Sequence, residues 1–139
     1  MRFMIIVKAT AETEAEEPGV VPDQQLMADM ATYHEELAKA GVLLDGAGLQ
    51  SSRKGWRIHY SAGDKRTVID GPFAETNELI AGYTLIQVRS REEALEWSRR
   101  FPNPMGRGVE AVIEVRQLYE LDDFGETEQT KRFRKIDMG

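Results

Sequence analysis

The sequence predicts an α+β protein with a ferredoxin-like βαββαβ plan, an inserted β-hairpin, and assembly into a dimeric α+β barrel. Strand-like and helix-like patterns alternate along the chain, and two strand-like arms around a turn interrupt the alternation after the second strand. A further observation predicts the dimer. Two helices can cover only one face of the sheet, yet the first strand is apolar on both sides, so a second copy of the sheet is expected to cover the other face.

Length and composition place the chain among globular proteins of one domain. Its 139 residues are 41% hydrophobic and 30% charged, which is enough apolar sequence to form a core. We expect one domain over residues 1–120, followed by a charged tail over residues 121–139 with one short helix from Glu126 to Lys135.

Charge, hydropathy and cysteine content argue against several functions. No apolar run approaches the roughly 20 residues needed to cross a bilayer, and the lack of cysteine excludes disulfides, thiol catalysis and zinc–thiolate sites. The net charge of −6 disfavours nucleic-acid binding, because phosphates need clustered Lys and Arg. The basic cluster at Lys131–Lys135 is interpreted as a solvated helix face. We therefore expect a cytoplasmic protein with no membrane or nucleic-acid partner.

The first half of the chain begins with a strand over Phe3–Val7, whose odd-numbered residues are expected to face the uncovered side of the sheet. An acidic stretch from Ala11 to Pro18 is predicted to be a mobile loop. Pro22 and Asp23 then open a helix that Gly41 closes. Residues at helical spacing form the buried stripe of this helix: Leu26, Met30, Tyr33, Leu37 and Ala40.

The second half supplies the remaining strands and one helix. Strand patterns cover Val42–Leu49, the hairpin arms Trp56–Tyr60 and Thr67–Ile69, then Ile80–Val88 and Val109–Leu118. Gly46 and Gly48 suggest a β-bulge or a close approach by another group. Ser90 and Glu93 form a predicted capping box for a helix that Pro102 ends.

The segment Asp70–Glu78, with the sequence DGPFAETNE, carries the most specific signal, and we call it the DGPF segment. Gly71 can adopt backbone conformations closed to other residues, and Pro72 restricts the turn that follows. Phe73 is expected to be buried. Glu75 is expected to lie close to the first carboxylate of the segment, on a stiff loop.

This segment resembles the signature DGPFAETKE of the YCII-related (DGPF-domain) family and departs from it only at Asn77, where the family usually carries lysine. Similar features extend over roughly residues 1–120 and include Glu35–Leu37, Ala40–Leu44, Leu79–Tyr83 and Ile113–Arg116. The resemblance implies a dimeric α+β barrel. It implies no particular activity, since the family's molecular function is largely unassigned, but relatives are commonly encoded beside extracytoplasmic-function sigma factors.

Three residues are candidates for catalysis. Asp70 and Glu75 are two carboxylates that can act as general acid and base if their pKa values are pulled apart. Alternatively, Asp70 accepts backbone N–H groups in its own turn and Glu75 caps the short turn that follows. His34, next to the buried stripe of the first helix, is either a base that reaches the sheet or a half-exposed boundary residue. His34 and His59 share no ligand spacing, so no metal site is predicted.

Four further residues are candidates for ligand binding. Trp56 and Tyr83 combine a ring that can line a pocket with an N–H or O–H donor, and each is alternatively part of the core or of the dimer interface. Phe73 is a candidate ligand contact or lid if its side chain is exposed. Arg107 lies between two glycines, in a loop suited to holding an anion.

Two functions are consistent with these residues. The first is a small-molecule-binding α+β barrel that holds its ligand between the open sheet face and the DGPF segment and performs cofactor-free acid–base chemistry at Asp70 and Glu75. The second is a non-catalytic binding or regulatory module linked to transcription, which the sigma-factor association of relatives implies. Both hypotheses expect a homodimer, and neither requires a cofactor or a metal.

Overall fold

The computed structural model describes residues 1–16 and 23–138. Within these residues six strands form: β1 (Arg2–Lys8), β2 (Leu43–Gly48), β3 (Trp56–Tyr60), β4 (Arg66–Asp70), β5 (Ile80–Gln87) and β6 (Ile113–Gln117). The same residues contain four α-helices: α1 (Ala11–Ala15), α2 (Gln24–Lys39), α3 (Arg91–Arg99) and α4 (Glu128–Lys135). Short 3₁₀ turns cover Ser52–Lys54, Thr76–Glu78 and Leu121–Phe124. No helix in the described ranges is both long and apolar enough to cross a membrane.

The main sheet has four antiparallel strands in the order β2–β5–β1–β6, and β3 with β4 forms a separate two-stranded sheet. With this hairpin set aside, the order of strands and helices is that of a ferredoxin-like fold. The predicted α+β fold class and the inserted hairpin are therefore confirmed. The two strands richest in apolar residues, β1 and β5, occupy the centre of the sheet.

The core lies between one face of this sheet and helices α2 and α3. Ile5, Leu37 and Ile86 are the largest fully buried side chains. Tyr33 of α2 is also buried, and its hydroxyl donates a hydrogen bond to the Trp97 carbonyl oxygen at 2.8 Å, which joins the two helices. Burial raises the pKa of Tyr33 to about 12, so the hydroxyl keeps its proton and remains a donor.

The opposite face of the sheet, which we call the open face, contributes no residue to the buried core cluster of the described chain. Phe3 and Ile5 point to the helices and are 5% and 0% exposed, so the prediction that the odd-numbered residues of β1 face the uncovered side is wrong. Alternation places Met4, Ile6 and Leu85 on the open face, where each stays partly exposed. The apolar centre of the open face is thus only partly buried within the described residues.

Residues Ala11–Ala15 form a helix where the sequence predicted an acidic loop. The Thr13 N–H donates to the Thr10 hydroxyl at 3.2 Å, and the Thr10 N–H donates to the Thr13 hydroxyl at 2.8 Å. This reciprocal cap satisfies two N–H groups that a helix start otherwise leaves unpaired, and it explains why the helix forms in so acidic a stretch. The predicted loop end at Pro18 and the helix opening at Pro22 lie outside the described residues.

Helix α2 is bounded by the capping residues that the sequence indicated. The Asp23 carboxylate accepts a backbone N–H of the first turn at 3.2 Å, and Gly41, just past the helix end, has a φ of +75°. Of the predicted stripe, Tyr33 and Leu37 are buried. Ala40, the residue that caps the end of the helix, is exposed.

The edge strands differ from their predictions in detail. The bulge in β2 is present, but it lies between Leu43 and Asp45 and not at the glycines. Strand β6 begins only at Ile113, and the apolar residues before it stay outside the sheet, with Val109 and Val112 52% and 63% exposed. Residues 109–112 therefore form a loop, and the predicted start of this strand at Val109 is wrong.

The charged tail contains a short helix, α4, close to the predicted bounds. Arg134 of this helix pairs with Asp122 at 2.7 Å. Arg2 of β1 pairs with Glu120 at 3.0 Å, which anchors the start of the tail beside the sheet. The basic cluster Lys131–Lys135 is exposed throughout, as the prediction of a solvated helix face requires.

Candidate functional site

A cleft of about 360 Å³ opens where the end of β1 meets the DGPF segment. Three parts of the chain form its walls: the junction of β1 and α1, the 3₁₀ turn of the DGPF segment, and the loop between α3 and β6. Half of the lining residues are apolar: Ala9, Met105, Ala111 and Val112. The other half are polar or charged: Lys8, Thr10, Asn77 and Glu110.

Backbone hydrogen bonds tie these walls together. The Ala9 N–H donates to the Leu79 carbonyl oxygen at 3.0 Å, and the Lys8 N–H donates to the Val112 carbonyl oxygen at 3.4 Å. The first bond joins β1 to the end of the DGPF segment, and the second joins β1 to the loop before β6. The shape of the cleft is therefore set by the main chain around the end of the sheet.

Three side chains bring different polar groups to this cleft: an ammonium from Lys8, an amide from Asn77 and a carboxylate from Glu110. Within residues 1–16 and 23–138, none of these three side chains has a hydrogen-bond or ion-pair partner. A few polar groups that have no partner in the described chain, placed beside an apolar lining, are the features that orient a small ligand.

The loop between α3 and β6 is held in place by Arg107. Its guanidinium donates to both carboxylate oxygens of Asp29 on α2, at 2.9 and 3.1 Å, and Asp29 also accepts from the Gln25 amide at 2.9 Å. The hydrogen bonds from Arg107 and then from Gln25 lower the pKa of Asp29. Arg107, a candidate ligand contact, is thus occupied by an ion pair that fixes one wall of the cleft.

The DGPF segment is packed against the turn Ser52–Lys54. A Cβ on Gly71 would lie 1.9 Å from the Ser52 carbonyl oxygen. The Gly71 N–H donates to the Gly55 carbonyl oxygen at 3.0 Å, and the Phe73 N–H donates to the Ser52 hydroxyl at 3.1 Å. The φ of Gly71 is not in the left-handed region, so glycine is needed here for a close approach and not for the unusual conformation that the sequence suggested.

The turn Ser52–Lys54 is itself held by acidic residues around the end of α1. The Glu14 carboxylate accepts the Ser52 N–H at 3.1 Å and the Ser52 hydroxyl proton. The Glu16 carboxylate accepts the Ser51 N–H at 2.6 Å and pairs with Lys54 at 3.0 Å. The Ser51 backbone bond, followed by Lys54, lowers the pKa of Glu16. We call Glu14, Glu16, Ser51 and Ser52 the serine clasp.

Sequence reasoning missed the serine clasp. Its hydrogen bonds join residues 35 to 38 positions apart, and neither partner belongs to a motif that marks it. In the sequence, one acidic residue in a short helix and another just after its end look like ordinary solvent-facing residues, because nothing local shows that the fold brings the serine turn to them.

Residues 1–121 match the family model of the YCII-related domain. The chain belongs to the YCII-related family. The match ends where the charged tail begins. An uncharacterized protein of Rhizobium meliloti (strain 1021) is 36% identical over 81 residues, which make up 58% of this chain and 64% of that relative. This YCII-related chain is thus aligned with less than two thirds of the relative's length.

The two carboxylates predicted to form an acid–base pair are exposed in this YCII-related chain. Neither the Asp70 nor the Glu75 carboxylate accepts a hydrogen bond or pairs with a cation in the part of the chain that the structure describes, and neither lines the cleft. Glu75 precedes the 3₁₀ turn without capping it through its side chain. The geometry therefore supports neither the catalytic interpretation nor the structural alternative.

His34 reaches the sheet, as one of the two predictions for it required. Its Nδ1 lies 2.7 Å from the Met30 carbonyl oxygen, to which it donates, and its Nε2 lies 2.8 Å from the hydroxyl of the buried Thr84. A Cβ on Gly46 would lie 3.6 Å from this Nε2. With both nitrogens engaged, His34 links α2 to β5. No group of three metal-ligating side chains occurs among the described residues.

The three aromatic candidates lie apart from the cleft. Phe73 is partly exposed and not buried as predicted, and the guanidinium carbon of Arg57 lies 3.8 Å from the centre of its ring. Tyr83 lies on the open face and donates to the Asp45 carboxylate at 2.9 Å, and this bond raises the pKa of Tyr83. Trp56 is 64% exposed on the hairpin. In this YCII-related chain, Asn77 is the residue of the DGPF segment that lines the cleft.

Proposed function

We propose that this chain is a small-molecule-binding protein whose ligand occupies the cleft beside the DGPF segment. The observation that carries the proposal is the convergence of Lys8, Asn77 and Glu110, all without partners among the described residues, on a cleft that is otherwise largely apolar. The volume of about 360 Å³ falls within the range of roughly 300–1,000 Å³ that is usual for such sites.

The polar groups define the chemistry of the ligand. Lys8 offers a positive charge to a carboxylate or phosphate, Glu110 offers an acceptor to a hydroxyl or amine, and the Asn77 amide offers both a donor and an acceptor. Met105 and its apolar neighbours offer a surface for carbon atoms, and the flexible thioether can adapt to different shapes. A compact organic acid that also carries a hydroxyl or amine group fits this set.

Binding without catalysis is favoured over acid–base chemistry at Asp70 and Glu75. Carboxylates serve as acid and base when burial or mutual repulsion separates their pKa values, and both of these side chains lie in solvent away from the cleft. A binding site of this kind suits a protein that senses a ligand as well as one that carries it. The regulatory module linked to transcription therefore stays a prediction.

We also propose that the chain forms a homodimer through the open face. Met4, Ile6 and Leu85 create an apolar centre on that face, and each of them stays partly exposed in the described chain. Packing against a second sheet would remove this surface from water.

A ligand screen tests the binding proposal directly. Organic acids that raise the melting temperature of the wild type should bind Lys8→Met about tenfold or more weakly, because a charge-assisted hydrogen bond contributes about 1.5–3 kcal/mol. Lys39→Met, which removes an exposed lysine outside the cleft, serves as the matched control and should leave the affinity unchanged. Calorimetric titration measures both.

Two results would contradict the proposal. One is a screen in which no organic acid stabilises the wild type. The other is a ligand that binds Lys8→Met and Asn77→Ala as tightly as it binds the wild type, because such a ligand occupies another site.

A further inference from the structure

The β3–β4 hairpin is a two-stranded sheet of its own, and every one of its strand residues is exposed. One face of the hairpin carries large apolar side chains. On that face Trp56, Ile58, Tyr60 and Val68 are 64%, 45%, 57% and 63% exposed. A contiguous apolar surface of this kind marks an interaction site more often than a free surface.

The cross-strand register arranges this face in three rows. The rows pair Trp56 with Asp70 at the base, Ile58 with Val68 in the middle, and Tyr60 with Arg66 near the tip. Alternation turns the intervening residues, including Arg57 and Thr67, to the opposite face. The face therefore has an acid at one end of β4, a base at the other end, and an apolar middle.

Neither charge forms an ion pair with another of the described residues. Asp70 has no ion-pair or hydrogen-bond partner among the described side chains, and the Arg66 guanidinium carbon lies 4.8 Å from the centre of the Tyr60 ring. Asp70 and Arg66 are four residues apart along β4, which is about 14 Å in an extended strand. They are too far apart to pair with each other.

We infer that this face docks on the same face of a second copy of the chain. The two hairpins lie about 10 Å apart, as stacked sheets do, with their strands antiparallel and a twofold axis crossing them at Ile58 and Val68. The base of one hairpin then covers the tip of the other. Asp70 of each copy faces Arg66 of the other, so the contact contains two ion pairs flanking an apolar centre.

Charge selects this orientation and this partner. If the strands were parallel, Asp70 would face Trp56 and Arg66 would face Tyr60, which would cover both charges without a counter-charge. Covering an unpaired charge is costly, whereas the antiparallel orientation satisfies all four charges. A different protein would need the same spacing of acid, apolar row and base, and a second copy has that spacing by symmetry.

Charge reversal tests the contact. Asp70→Arg and Arg66→Asp each place like charges opposite one another, so each should raise the Kd of hairpin-mediated association about tenfold or more. The double variant restores opposite charges and should return the Kd to within about threefold of the wild type. Sedimentation velocity measures the association, and circular dichroism verifies that each variant is folded.

Cross-linking tests the geometry. The chain contains no cysteine, so Val68→Cys introduces a single thiol close to the twofold axis. A short bis-maleimide should join two copies of this variant. Thr67→Cys places the thiol on the opposite face of the same strand and is the matched control, which should react with the reagent without joining copies.

This hairpin contact uses a surface separate from both the ligand cleft and the open face. It is overturned by a wild type that stays monomeric at high micromolar concentration, by single reversals that leave association unchanged, or by a double variant as weak as the single ones. Equal cross-linking through positions 67 and 68 would overturn the face-to-face arrangement.

Discussion

At Gly71 the absence of a side chain decides how two loops pack. The Ser52 carbonyl oxygen occupies the place where a Cβ would lie, and the Ser52 hydroxyl accepts the Phe73 N–H while donating to Glu14. Because the close contact at Gly71 is between backbone atoms, no side-chain rotation can relieve it. The serine clasp therefore fixes where the DGPF segment lies, through the close contact at Gly71.

Gly71→Ala is expected to lower the free energy of unfolding by about 2–3 kcal/mol, since overpacking against backbone forces the main chain to move. Gly48→Ala is the control, because the nearest atom to its added Cβ is a carbonyl oxygen at 3.9 Å, and it should change stability by less than about 1 kcal/mol. Urea denaturation measures both. Equal losses for the two variants would contradict the close approach at Gly71.

Glu16 makes stability dependent on pH. Its pKa in the folded chain is lowered from the usual 4.5, first by the Ser51 backbone hydrogen bond and then by Lys54. Near pH 4.5 the unfolded chain therefore binds more protons, so the stabilisation is complete above this pH and is lost as the pH falls through the lowered value. In the Glu16→Gln variant, the free energy of unfolding should fall less steeply as the pH is lowered.

The control for this experiment is Glu12→Gln, which removes a carboxylate from the same helix without removing an ion pair. The stability of this variant should depend on pH in the same way as that of the wild type. Denaturation midpoints between pH 3 and pH 7 provide the measurement, and a Glu16→Gln profile as steep as that of the wild type would contradict the clasp.

Among the elements, the DGPF segment differs most from its prediction. The sequence suggests a rigid loop that buries Phe73 and brings two carboxylates together. The loop is indeed held by hydrogen bonds that the Gly71 and Phe73 N–H groups donate, but Phe73 stays partly exposed beneath Arg57. Asp70 and Glu75 lie in solvent. The loop positions one wall of the cleft and brings no catalytic pair together.

Phe73→Ala is accordingly expected to cost about 1–2 kcal/mol, below the 3–5 kcal/mol of a fully buried aromatic residue. A double-mutant cycle with Arg57→Ala should give a coupling of about 0.5–1 kcal/mol, the usual size of a cation–π contact at an exposed site. A loss above 3 kcal/mol for Phe73→Ala, or a coupling near zero, would show that the ring packs elsewhere.

At the scale of the whole molecule, the hairpin carries exposed apolar side chains and the open face carries partly exposed ones. Leu85→Lys places a charge in the centre of the open face and should halve the mass of the assembly, which we expect to bury on the order of 2,000 Å² or more through that face. Leu95→Lys changes an exposed leucine on α3 and should leave the mass unchanged. Light scattering measures both, and a wild type that is monomeric at micromolar concentration would contradict the dimer.

Strand periodicity, helix capping and a nine-residue signature are local properties of the chain, and they are enough to predict the ferredoxin-like order of elements, the caps of α2 and the family. Packing between distant segments fixes the other features: the face of β1 that the helices cover, the serine clasp, the two hydrogen bonds of His34 and the cleft. Each joins segments that lie tens of residues apart: Glu14 with Ser52, His34 with Thr84, Lys8 with Asn77 and Glu110. Local sterics fix which residues form a strand or helix, but only the packed path of the chain decides which side chains meet.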